Sequence, residues 1–135
     1  MIPKHRILVP TVLTLIFGAP LPSGAAERVR EFSGDRSMET AEFEVEAPWV
    51  IDWVVNSDYP EGMGIDVALI EAQRGTHVGR VLQTRSPGDG VRLMQEGGRF
   101  RFKVDAALTR WTIRVDQLTR EEVELYTPKA TDEND

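Results

Sequence analysis

The sequence predicts an all-β fold, a single antiparallel β-sandwich of about eight short strands, and three observations carry that expectation. Apolar and polar residues alternate with period two in several separate runs, which places successive side chains on opposite faces of a strand. Each run is short and closed by Gly, Pro, Asn, Asp or Ser, with no sustained helical periodicity between runs. The chain has no cysteine, so the hydrophobic core must hold the fold without disulfides.

The first 26 residues are expected to lie outside the domain. Lys4, His5 and Arg6 form a basic start, Ile7 to Phe17 is an apolar run, and small residues lead to Ala26. That order is the layout of a secretory signal peptide with cleavage before Glu27. The apolar run is too short to cross a bilayer core of about 30 Å as a helix, so no membrane span is expected after cleavage. The protein is therefore expected in the periplasm or outside the cell.

Residues 27–118 are assigned to the sandwich. Val29 and Phe32 before Ser33-Gly34-Asp35 read as an edge strand and a turn. Phe43, Val45, Ala47, Trp49, Ile51, Trp53 and Val55 alternate with Glu42, Glu44, Glu46 and Asp52. Pro48 lacks a backbone donor and marks a kink, a bulge or a break in this run. Asn56 to Gly64 is a loop rich in turn formers, and Ile65, Val67 and Leu69 alternate after it. Val78 to Thr84 and Val91 to Leu93 are shorter strands separated by Ser86-Pro87-Gly88-Asp89-Gly90. Phe100, Phe102 and Val104 interleave with Arg99, Arg101 and Lys103, and Trp111, Ile113 and Val115 interleave with Thr112 and Arg114. The tryptophans keep the alternation and are expected in the core, where each aromatic removes roughly 150–250 Å² from water. Residues 119–135 are expected to be an acidic, flexible tail.

Charge excludes some partners. The formal net charge of −6 loses two cations, Lys4 and Arg6, with the signal segment and becomes −8. Nucleic acids and anionic membranes select Lys and Arg clusters, so neither is expected as a partner. Catalytic constellations are thin. His77 is the one histidine beyond the signal segment, and Arg74-Gly75-Thr76-His77 places no nucleophile motif beside it. Carboxylates at Glu42, Glu44 and Glu46 repeat about every 7 Å along one strand face, with nothing to mark an opposing wall. Calcium takes 6–8 oxygen ligands, and Asp58, Glu61 and Asp66 are the first candidates to supply them, followed by Asp35 with Glu39, and by Asp89. No other cofactor is expected.

The candidate binding residues are Arg99, Arg101, Lys103 and Arg114. They share a face if the Phe100 and Trp111 strands pair, as the short Ala106–Arg110 link favours. Burying the aromatics then turns four cations outward, unless Glu42, Glu44 and Glu46 lie opposite and neutralise them.

Phe32-Ser33-Gly34-Asp35, Thr40-x-x-Phe43-x-Val45-x-x-x-Trp49-x-Ile51-x-Trp53, Gly98-x-Phe100-x-Phe102-x-Val104 and Trp111-x-Ile113-x-Val115 follow one another in this order. The succession, over about Phe32 to Val115, resembles small secreted bacterial jelly-roll domains such as pre-peptidase C-terminal domains and CUB-like domains. The resemblance implies an accessory or binding module, in a setting where some relatives bind calcium or polymers; a targeting role for a tethered peptidase is not expected. The expected function is a non-catalytic, exported module contacting an envelope or extracellular protein or polysaccharide. The alternatives are a small carboxylate-dependent hydrolase and an assembly subunit that pairs through an edge strand.

Overall fold

A computed structural model describes residues 27–126. Residues 1–26, expected as a signal peptide, lie outside the described residues. The strands are β1 (Glu27–Gly34), β2 (Met38–Glu39), β3 (Phe43–Val45), β4 (Trp49–Asn56), β5 (Gly64–Glu71), β6 (Thr76–Thr84), β7 (Gly88–Met94), β8 (Gly98–Ala107) and β9 (Arg110–Gln117), followed by a helical turn, α1 (Val123–Tyr126). One sheet has the order β1-β9-β4-β7, and the other runs β2-β8-β5-β6 with β3 also on β8. Every pairing is antiparallel. Counting β2 and β3 as one interrupted strand gives four strands facing four, with the crossovers of a jelly roll.

Thr40 explains why the interrupted strand still closes its sheet. It is buried between β2 and β3, and its backbone N–H donates to the Phe102 carbonyl at 2.9 Å. Its hydroxyl accepts from the Phe102 N–H at 2.9 Å. A side chain thus replaces a ladder bond where the backbone leaves register, and no buried amide is orphaned there.

The period-two residues face one another across the sandwich. Trp49, Ile51 and Val55 from β4 and Trp111, Ile113 and Val115 from β9 meet Val67, Leu69, Phe102 and Val104 from the opposite sheet, all buried. Aromatic rings tie the layers together. Phe43 stacks on Phe102 at 5.1 Å between centroids and meets Trp49 edge-on at 5.7 Å, while Trp49 stacks on Phe100 at 5.5 Å. Such pairs contribute about 0.5–1.5 kcal/mol each beyond burial. Both buried indoles keep a hydrogen bond, Trp49 to the Glu96 carbonyl at 2.8 Å and Trp111 to the Arg36 carbonyl at 3.1 Å. Trp53 differs from the other two. It is half-buried beside edge strand β7, lying so close to Gly90 that a Cβ there would collide with its ring.

Pro48 marks a change of sheet. β3 belongs to one layer and β4 to the other, with a cis Ala47–Pro48 peptide between them. The Gln117 amide clamps this corner: its carbonyl accepts from the Glu46 N–H at 3.0 Å, and its NH₂ lies 2.7 Å from the Glu46 carbonyl and 2.8 Å from that of Pro48. Of the segment expected as a tail, residues 119–126 form a capped turn whose helix, α1, contacts β7. Thr119 and Glu122 make a reciprocal capping box, with N–H to side-chain oxygen distances of 3.0 and 3.3 Å. Residues 127–135 lie outside the described residues.

Candidate functional site

The expected cationic face divides between the two sheets. Arg99, Arg101 and Lys103 lie together on the outer side of β8, but Arg114 is on β9, whose neighbours are β1 and β4. The pairing of β8 with β9 does not occur. The short link between them turns the chain inward at buried Thr109, whose hydroxyl lies 2.8 Å from the Ala107 carbonyl and 3.2 Å from that of Gly64, and the chain crosses to the opposite layer. Nor do the three grouped cations stand alone. Glu44 approaches Arg99 at 3.5 Å, Glu39 approaches Arg101 at 3.9 Å, and Glu39 is also the register partner of Lys103. Arg114 holds Glu31 at 2.9 Å on the far face. Local pairs of opposite sign dominate both outer faces.

The calcium candidates are distributed likewise. Asp58 lies in the β4–β5 loop, 2.7 Å from the Arg110 guanidinium, which holds its carboxyl below the usual carboxylate range through a hydrogen bond and charge attraction. Asp66 lies on β5, 3.4 Å from Arg80, and Glu61 is exposed in the turn between them. Among the described residues, no three His, Asp or Glu side chains converge as a metal-binding group. Asp35 pairs with Arg36, Asp89 is on β7, and His77 is exposed on β6.

A different site takes shape at one end of the sandwich, where the links β1–β2, β4–β5, β6–β7 and β8–β9 come together. Leu108 occupies the left-handed backbone region at φ 53° and leaves 56% of its surface exposed. A branched-chain leucine there costs on the order of 1–3 kcal/mol and persists when its surroundings over-determine it. The surroundings do so. The Ser57 hydroxyl donates to the Leu108 carbonyl and accepts from the Tyr59 N–H at 2.9 Å, while the Asn56 side-chain carbonyl accepts from the Ser57 N–H at 2.8 Å. Thr109 anchors the next residue as described. Leu108 lies against Gly62, where a Cβ would come within 3.0 Å of its methyl.

Tyr59 stands beside this corner, 66% exposed, in a tight turn closed by the Gly62 N–H and the Tyr59 carbonyl at 2.9 Å. A hollow of about 200 Å³ opens between Tyr59, Leu108, Asp35 and the Asp58–Arg110 pair. An aromatic ring, an aliphatic side chain, a fixed ion pair and a hydroxyl are therefore offered together from a rigid scaffold. Sequence reasoning identified Ser57-Asp58-Tyr59-Pro60 as a loop without singling out Tyr59, although a large aromatic among turn formers is a visible signal. Nothing in the sequence announces the φ of Leu108. No protein-family model and no curated protein matches the chain.

Proposed function

We propose that the protein is an exported, non-catalytic binding module that contacts an envelope or extracellular protein or polysaccharide through the loop end of its jelly roll. The carrying observation is Leu108, held in the left-handed region with its side chain outward beside exposed Tyr59. Strain confined to an exposed apolar residue fits a recognition surface better than a packing need. Loops on a rigid sandwich are a common place for such surfaces. Exposed Tyr and a neighbouring ion pair suit either a sugar ring or a protein side chain, since each has apolar faces and polar edges.

The test compares retention of envelope proteins and of envelope polysaccharides on immobilised protein, as two separate fractions. Tyr59→Ala is expected to abolish retention of one fraction with an unchanged melting temperature. Combined Arg99→Gln, Arg101→Gln and Lys103→Gln is expected to leave that retention intact. Loss of retention in the triple variant with Tyr59→Ala unaffected moves the contact surface to the β8 face and refutes the loop-end reading.

A further inference from the structure

The two lateral edges of the sandwich carry opposite charge. β1 lies over β3 at one side, with Phe32 and Phe43 rings 6.0 Å apart. β7 lies beside β6 at the other, where the Arg92 guanidinium donates to the Arg80 carbonyl. Residues 27–46, which build the first edge, hold seven carboxylates and three arginines. Residues 72–95, which build the second, hold four arginines and one carboxylate, Asp89.

Internal pairing does not remove this polarity. Glu31, Glu39 and Glu44 pair inward with Arg114, Arg101 and Arg99, and Arg80 pairs inward with Asp66. Among the described residues, Glu27, Glu42 and Glu46 on one edge and Arg74, Arg85 and Arg92 on the other make no ion pair within 4.0 Å, and all six are exposed. A four-stranded sheet separates its outer strands by about 14 Å, more than the screening length of about 8 Å at physiological ionic strength. The edges therefore do not neutralise each other within one molecule.

We infer that the acidic β1–β3 edge of one copy docks on the basic β6–β7 edge of a second copy, giving head-to-tail, salt-sensitive self-association. A second copy satisfies both edges with one kind of partner, whereas an acidic polymer answers the basic edge alone. The contact is made by side chains. β1 shifts register between Arg28 and Arg30 and β3 is only three residues long, so the acidic edge offers no unbroken ladder to add to the regular strand β7 of another copy. Because two different surfaces meet, the contact is heterologous and builds rings or open chains of molecules.

Sedimentation velocity on protein purified after expression of the full chain tests this, between about 50 mM and 0.5 M salt. Concentration-dependent association is expected at the lower salt and monomer at the higher. Reversing the basic edge with Arg74→Glu, Arg85→Glu and Arg92→Glu is expected to give monomer throughout, and the milder Arg→Gln set the same. Adding Glu27→Arg, Glu42→Arg and Glu46→Arg to the reversed protein restores the original net charge, exchanges the two edges, and is expected to restore association. Wild-type protein that stays monomeric at every salt overturns the inference, as does association that survives the Arg→Gln set. Monomeric wild-type protein that binds dextran sulfate through these arginines identifies an acidic polymer as the partner instead, and equally overturns it.

Discussion

At the scale of single residues, two positions do work that their types alone do not announce. Thr40 supplies the acceptor for the Phe102 N–H at the break between β2 and β3. Thr40→Val keeps the shape and removes the acceptor, leaving a buried amide without a partner. We expect a loss of about 1–3 kcal/mol in denaturant-monitored unfolding; a loss below the error of the measurement would show that the β2–β3 break does not depend on this hydroxyl. The alternating run was legible from Phe43 onward, but the role of the Thr40 hydroxyl before it was not, because a broken register is a property of the paired strand. Leu108 is the second position. A glycine or asparagine is the residue this backbone favours, and the chain has leucine.

At the scale of elements, strand existence was legible and strand partnership was not. Alternation at Phe100–Val104 and Trp111–Val115 gave both strands, because period two follows from the pleat itself. It is silent on whether a short link makes a hairpin or a crossing between layers. That choice was made by Thr109 turning into the core, and it separated Arg114 from the other three cations. Pro48 was legible as an interruption, while the Gln117 clamp that fixes its consequence comes from about 70 residues away.

The C-terminal turn carries a pH dependence of its own. Burial, then the charges of Asp116, Glu122 and Asp52, raise the Tyr126 phenol above its ordinary value of 10.0. The neutral phenol is thus favoured in the folded state. Its contribution is fully present below the ordinary value and is lost as pH rises through the folded one. We expect wild-type stability to fall more steeply than that of Tyr126→Phe above about pH 10. Parallel pH profiles for the two proteins would place the phenol in water and contradict its partial burial.

At the scale of the whole molecule, the sandwich buries its aromatics without disulfides, and the succession of short alternating runs closed by turn signals already pointed to that solution. The candidate site followed less readily. Charge patterning drew the eye to β8, where Glu39 and Glu44 balance the cations. The loop end instead depends on where separate links converge, which is set by topology. The edge polarity was present in the sequence as an acidic stretch before residue 47 and a basic one after residue 71, but its meaning depended on knowing that these stretches form opposite sides.

Leu108→Asn, measured for stability and partner retention on the same preparation, tests the central claim most directly. Asparagine accepts the left-handed backbone and removes the exposed aliphatic group. If Leu108 is held outward for recognition, unfolding free energy stays equal to or rises above that of wild type, while partner affinity falls by roughly tenfold or more, about 1.4 kcal/mol. If the variant instead loses stability and binds its partner as wild type does, Leu108 serves the fold and the loop end is not the recognition surface.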